Sequence, residues 1–359
     1  MFRIFLCFIL LMSSTVLARP SVVLYQSRLP TTVKLGFVGD ILLHRRLLRQ
    51  CKRRGIQYLW RPVLPLIRHV DFMVANLEGP IAAGLNVRGR LVSGYSKWDE
   101  RAYTGYPMFN YPPALAKALQ KSNINLATTA NNHALDRYTA GVRKTIVVLR
   151  QHQIVPLGTR ITRQSNVGWF YVSHFHGLDV AWVACTTGTN GVSDPKRLVL
   201  RCDSRPKKSI VLHLVRYLSK HYDAVIVLPH WGKEYQMTPT RRQKIFGQAV
   251  IKAGALLVVG THPHVLQPIQ LIGQPSRKKM IAYSVGNFVS NQGSIRNRTT
   301  MMLSVGLGVS HGRVSIASVC FVPLFMNNRR GLNNAQLIEL PQSKRYASSW
   351  NIFKKLRLM

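Results

Sequence analysis

The sequence predicts an α/β fold. Short β-rich apolar runs alternate with helical patterns along most of the chain, which is the sequence signature of sheets covered by helices. No internal repeat or low-complexity tract interrupts that alternation. Nearly every strand run ends in a cluster of polar, metal-capable residues, and the carboxyl ends of strands are where open α/β sheets collect ligands. With 359 residues, 47% of them hydrophobic, the chain can bury a substantial core as one large domain or two ordinary ones.

In chain order, Met1-Phe2-Arg3 supplies a positive start. An apolar run from Ile4 to Met12 follows, and Val16-Leu17-Ala18 then puts small or apolar residues where a signal peptidase cuts. Residues 1–18 are therefore expected to be a secretory signal, cleaved after Ala18. An uncleaved anchor is the alternative, although the run is short for a bilayer. Residues 19 to 31 read as an extended lead-in.

Strands are expected at Val33 to Val38, Phe72 to Ala75, Asn125 to Thr128, Val180 to Cys185, Ala224 to Leu228, Leu256 to Val259 and Met280 to Ser284. Helices are expected at Ala114 to Lys121, Ala140 to Gln151, Ser209 to Lys220 and Thr240 to Ala253, the last opened by Thr238-Pro239-Thr240. Residues 84 to 111 are rich in Gly, Tyr and Arg without periodicity, and a loop that long is uncommon unless it serves a site. Strand signals fade after about Leu324, and residues 326–359 read as a basic, peripheral C-terminal extension.

Fifty Lys and Arg stand against 12 Asp and Glu, a net charge of +38. A field of that sign attracts polyanions: acidic polymer, anionic lipid or nucleic acid. Export argues against nucleic acid, leaving an anionic polymer or phosphate-containing substrate, with peripheral contact to an anionic membrane. A general basic bias of the source organism accounts for the charge equally well. Export also permits disulfides. Of Cys51, Cys185, Cys202 and Cys320, the pair Cys185 and Cys202 is the reasonable bridge, with four free thiols as the alternative.

The polar clusters are Gly39-Asp40, Asn76-Leu77-Glu78-Gly79, Ala130-Asn131-Asn132-His133, His230-Trp231-Gly232, Gly260-Thr261-His262-Pro263-His264 and Gly286-Asn287-Phe288. Each is weak alone. Together, strand-end Asp, Glu, Asn and His residues far apart in sequence can converge around one ion. In so cationic a chain, carboxylates kept at strand ends point to a local need for negative charge, which a divalent cation would supply.

On these residues the chain resembles the CapA family of capsule or poly-γ-glutamate synthesis proteins. The segments carrying the resemblance are GFVGDILLHRR (36–46), VANLEGPI (74–81), ATTANNHALD (127–136), LPHWGKEY (228–235), AGALLVVGTHPHVLQPIQ (253–270) and IAYSVGNFVSNQ (281–292). The resemblance implies a metallophosphoesterase-like four-layer α/β/β/α sandwich, a single large domain over residues 32–325, exported to the periplasm or cell surface and working with capsule-assembly proteins. It implies one or two divalent metals held by Asp40, Glu78, Asn132, His230, His262 and His264. His133 would be the acid that protonates a leaving group, with Asp136 orienting it or serving only as a helix-start acid. A mixed His and carboxylate set suits Mn, Zn or Fe better than Ca. Arg45, Trp231 and Asn287 are expected at the rim as substrate contacts, the alternatives being packing or a solvated charge for Arg45 and Trp231 and holding a turn for Asn287. The phosphoesterase pattern opens with Asp-x-His, whereas Leu42 stands two residues after Asp40. That departure leaves the number of metals open.

Overall fold

The structure is a computed structural model and describes residues 21–164, 168–202, 209–274, 277–328 and 335–358. The expected signal segment lies outside the described residues. No helix among them is long and apolar enough to cross a membrane.

The strands are β1 (Val22–Gln26), β2 (Val33–Ile41), β3 (Phe72–Leu77), β4 (Leu126–Thr128), β5 (Val155–Leu157), β6 (Phe170–Phe175), β7 (Leu178–Thr186), β8 (Ala224–His230), β9 (Leu257–Val259), β10 (Ile269–Ile272), β11 (Lys279–Ala282), β12 (Asn287–Val289), β13 (Thr299–Ser310), β14 (Arg313–Asn327) and β15 (Gln336–Glu339). The α-helices are α1 (Arg45–Arg54), α2 (Leu64–Ile67), α3 (Ala114–Gln120), α4 (Tyr138–Gln151), α5 (Ile210–His221), α6 (Arg241–Ala253), α7 (Ile295–Arg298) and α8 (Ala347–Lys355). One sheet runs β1-β14-β13-β2-β3-β4-β5, with β12 added on β2 and β15 on β14. The other runs β10-β11-β9-β8-β7-β6. The centres of both are parallel, β2 to β5 in the first and β7, β8, β9 and β11 in the second.

Alternation along these strands builds the layers, because successive side chains leave a strand on opposite faces. Leu35 and Phe37, Phe72 and Val74, Val180 and Trp182, and Ile226 and Leu228 meet between the sheets. Met73, Ala75 and Leu77 point the other way, onto Leu47 and Leu48 of α1 and Leu115 and Leu119 of α3. Ala181, Val183, Val225 and Val227 turn outward onto Val211, Leu212 and Val215 of α5 and Phe246 and Val250 of α6. This is a four-layer α/β/β/α arrangement in one large domain, as expected. Helix α6 starts at a capping box: Thr240 accepts from Gln243 N–H while the Gln243 side chain bonds back to the Thr240 backbone.

Two expectations are corrected at the C-terminal end. Strand signal does not end near Leu324, since β13 and β14 form a long hairpin with β15 paired along Leu324 to Asn327. Nor is the extension peripheral: Phe353 of α8 is fully buried and stacks on Phe321 of β14, with ring centroids 5.3 Å apart. The disulfide forms between Cys185 and Cys202, while Cys51 and Cys320 are free.

Candidate metal centre

The strand ends bring their polar clusters to one rim. Asp40 ends β2, Glu78 follows β3, Asn132 and His133 follow β4, His230 ends β8, and His262 and His264 follow β9. Gly39 makes part of this possible. A side chain there would collide with the Gly286 carbonyl, so glycine lets β2 and the approach to β12 close up, carrying Asp40 and Asn287 together. His262 and His264 hold left-handed backbone, φ +96° and +58°, which places both imidazoles over the same rim. Non-glycine residues adopt such backbone only where the surroundings enforce it.

Two groups of ligand atoms converge, each within 4.8 Å: Glu78, His230 and His262 in one, and Asp40, Glu78 and His264 in the other. Glu78 belongs to both. Its Oε1 stands 3.7 Å from His230 Nε2 and 3.7 Å from His264 Nε2. Asn132 joins the first group, its Oδ1 2.9 Å from His230 Nε2, and His262 Nδ1 lies 3.1 Å from that same nitrogen.

The surrounding bonds set which ring nitrogens carry lone pairs. His264 Nδ1 faces two acceptors, Asp40 Oδ2 at 3.0 Å and Asn287 Oδ1 at 3.1 Å, so it holds the proton and Nε2 is left bare toward Glu78. His230 Nδ1 lies 3.0 Å from Thr261 Oγ1 and 3.2 Å from the Asn76 Nδ2 donor, so it accepts, and Nε2 donates to Asn132 Oδ1 at 2.9 Å; holding a cation through Nε2 requires the other tautomer. Burial lowers the His230 pKa well below its usual value, and the neighbouring His262 and His264 add to the effect. Burial likewise brings His262 to about 4, reinforced by His264. Glu78 is pushed well above the carboxylate range, by burial first and then by the Asp40 charge. Among the described residues, neither Glu78 oxygen has a hydrogen-bond partner.

Imidazole nitrogens and a buried carboxylate without a hydrogen-bond partner among the described residues converge here, and that chemistry suits a cation. Burying such oxygens unpaired costs about 1–3 kcal/mol each. The donor set thus fits one or two divalent ions, with all six expected ligands at the same rim.

Beside the cradle, His133 Nδ1 lies 2.7 Å from Asp136 Oδ2, and both residues are buried. Asp136 also accepts from the Phe109 N–H at 2.6 Å, and the Phe109 ring packs edge-on against His133 at 4.8 Å. Burial raises the Asp136 pKa, opposed by its bond to His133. Asp136 is therefore tied to the imidazole. The 84–111 segment reaches the site through Phe109.

Two expected rim residues are placed otherwise. Trp231 follows His230, so strand alternation turns it to the opposite face. It stacks on Tyr283, donates to the Tyr283 carbonyl at 2.9 Å, and is 1% exposed. Asn287 is buried with its amide committed: Oδ1 to His264, and Nδ2 to Gln292 Oε1 and the Asn297 and His264 carbonyls. It holds His264 rather than facing outward. Arg45 is exposed at the start of α1, near the Glu100 carboxylate.

Asn76, named in the sequence only as part of a polar cluster, and His44 also belong to the centre. Asn76 donates to Asp40 Oδ1 at 2.7 Å, and its Nδ2 lies 3.2 Å from His230 Nδ1. Its position one residue before the Leu77-Glu78 strand end was the available signal. His44 packs edge-on against Phe109, and burial brings its pKa to about 4. Leu42, at the Asp-x-His position, is a buried apolar side chain.

The family profile described as bacterial capsule synthesis protein PGA_cap matches residues 34–292. The PGA biosynthesis protein CapA of Bacillus subtilis (strain 168) is 27% identical over 273 residues, covering 76% of this chain and 67% of that protein. The capsule biosynthesis protein CapA of Bacillus anthracis is 27% identical over 286 residues, covering 76% and 63%. The match thus spans about two thirds of each relative's length. Among solved structures, the calcineurin-like phosphoesterase YfkN of Bacillus subtilis is 11% identical, covering 92% of this chain and 98% of that one at a TM-score of 0.45. The NAD nucleotidase NadN of Haemophilus influenzae is 12% identical, covering 90% and 62% at 0.48. The fold assignment rests on the sheets and layers described above, and since the profile takes in well over half of its length, the chain belongs to the CapA family of bacterial capsule synthesis proteins, PGA_cap.

Proposed function

We propose that the protein is an exported, metal-dependent hydrolase of the phosphoesterase type, serving capsule or poly-γ-glutamate biosynthesis. The observation that carries this reading is Glu78, a buried carboxylate without a hydrogen-bond partner among the described residues, shared by two converging ligand groups. Asp40, Glu78, Asn132, His230, His262 and His264 would hold one or two divalent ions, Mn, Zn or Fe by their mixed nitrogen and oxygen donors. When bound, such ions bring the pKa of a coordinated water toward ~7 and so make hydroxide available at neutral pH.

The chain's own groups supply the rest. Asp136 accepts from His133 Nδ1 and holds the ring in one orientation. His133 Nε2 is then the atom that delivers a proton to a departing oxygen. Asn76 and Asn287 fix Asp40 and His264 in place. The net charge of +38 favours an anionic polymer or a phosphate-containing substrate. The Cys185–Cys202 bridge supports residence in an oxidising compartment, periplasm or cell surface.

A second reading is favoured by that same charge and by the names of the relatives: a non-catalytic component that binds an anionic polymer during capsule assembly and export. Metal analysis of the mature protein, followed by a panel of phosphomonoesters, phosphodiesters and γ-glutamyl polymer, separates the two. His133→Ala should keep its metal and lose about 10²–10⁴-fold in turnover. A metal-loaded wild type that turns over nothing, yet binds polymer in a salt-sensitive way, would establish the second reading instead.

A further inference from the structure

We propose that Asn190 is a positioning residue for His133, and that the disulfide-closed loop carrying it forms the wall against which the leaving group rests. The inference rests on the hydrolase reading above.

Asn190 lies on the segment between Cys185 and Cys202, whose bridge ties the two ends together. Backbone bonds anchor the same segment: Thr187 N–H to the His230 carbonyl, Thr186 N–H to the Leu200 carbonyl and Leu200 N–H to the Gly158 carbonyl. Arg201 spans it from within, donating to the Thr187 carbonyl at 2.8 Å and to Thr189 Oγ1 at 3.2 Å. The loop is thus a fixed ledge hung from the strand end that presents His230.

At its tip, Asn190 is exposed in left-handed backbone, φ +47°, with Gly191 following at +76°. Its Nδ2 stands 3.4 Å from both Nδ1 and Nε2 of His133. A group that close to both ring nitrogens cannot lie in the ring plane without overlapping ring carbon. The amide therefore lies over the face of the imidazole. Phe109 meets the ring edge-on, and Asp136 takes Nδ1. His133 is held from three directions and keeps Nε2 for the substrate.

In hydrolysis, the bond from phosphorus to the leaving oxygen breaks with its electron pair going to that oxygen. His133 Nε2 supplies the proton, and water supplies the new oxygen on phosphorus and returns a proton to solvent. The leaving oxygen must lie within hydrogen-bond reach of Nε2 and hence beside Asn190. Thr187, Asn190, Ser193, Lys196, Arg197 and Arg201 are among the residues exposed on this loop, so the ledge fits a polar or hydroxyl-bearing alcohol.

The test uses Asn190→Gly, which keeps the left-handed turn and removes the amide, and Asn190→Ser, which keeps a small polar side chain but not the reach of the amide. The substrates are two phosphate esters, p-nitrophenyl and simple alkyl. The aryl group leaves without a proton and the alkyl group needs one. Both variants should lose roughly tenfold in kcat on the alkyl ester, with little change on the aryl ester, in KM or in metal content. Equal losses on both esters, or none, would overturn the proposal. If wild type hydrolyses neither ester, the hydrolase reading fails and Asn190 is judged separately, by acylation of His133 with diethyl pyrocarbonate read by peptide mass spectrometry. Uncovering the ring face in Asn190→Gly should raise that acylation rate, and an unchanged rate shows that Asn190 does not hold the ring.

Discussion

Replacing Glu78 by Leu should stabilise the metal-free protein and destabilise the metal-loaded one. Glu78 is fully buried, neither oxygen has a hydrogen-bond partner among the described residues, and the His230 and His264 Nε2 atoms it faces stand at 3.7 Å, too far to bond. Two unpaired buried oxygens cost about 1–3 kcal/mol each. Taking the low end for each oxygen, the gain from Glu78→Leu is roughly 2 kcal/mol. Leu also removes the repulsion with Asp40 and replaces the aliphatic part of Glu78 with little change in volume. With Mn or Zn at a hundred times its dissociation constant, wild type should gain about 2.7 kcal/mol, and the variant, having lost the shared ligand, close to none. Urea unfolding of chelator-treated protein, with and without added metal, reads both effects as a crossing of the stability order. A variant less stable than wild type without metal would show that Glu78 is an ordinary structural acid. Equal metal stabilisation of both proteins would show that it is no ligand. Either result removes the ground for a cation at this rim.

Other perturbations follow from the same packing. His44 has its pKa brought from 6.5 to about 4 by burial, partly offset by its bond to the Leu42 carbonyl and deepened by His264 and His133. The unfolded chain therefore takes up this proton first, and stability present above pH 6.5 is lost as pH falls toward 4, by about 3 kcal/mol at most. His44→Gln should flatten urea midpoints across that window, and an unchanged slope would remove His44 as a source of acid lability. Replacing both Cys185 and Cys202 by Ala opens a loop with a sequence separation of 17 and should cost about 3 kcal/mol in denaturant unfolding. A loss under a few tenths would show the loop already ordered by its backbone bonds. Arg137 is fully buried, its pKa brought to about 10, and donates to the carbonyls of Leu85, Ala102, Phe109 and Asp136. Arg137→Met should cost about 3 kcal/mol or more and admit protease to residues 84–111, because those carbonyls lose their donor. Intact resistance would mean that the segment is pinned by other contacts.

The elements that the sequence made legible are those whose cause is local. Leu35 to Val38, Val180 to Cys185 and Ala224 to Leu228 are apolar runs buried on both faces, and such runs read as strands without any tertiary information. Thr240 and Gln243 announce a helix start because the capping bonds span three residues. The convergence of the candidate ligands was legible for the same reason: strand, polar residue and glycine recur at the rim positions, so chemistry and place coincide in a few adjacent letters.

The strands that went unread depend on distant partners. The β13–β14 hairpin carries Gly306, Gly308 and Pro323 inside its strands, residues that weaken a local strand signal. It forms because β13 pairs with β2 and β14 with β1, each far away in sequence. Side-chain direction was decided by the fold as well. His230 and Trp231 are neighbours in the chain, yet the pleat sends one to the centre and the other into the core beneath α6, and only the sheet's register says which. The residues that orient rather than bind, Asn76, Asn190 and Arg137, carry no periodic mark. Each acts across more than two dozen positions of sequence on some partner, Asn76 on His230, Asn190 on His133 and Arg137 on Leu85, and a hydrogen bond over that span exists only once the layers have closed.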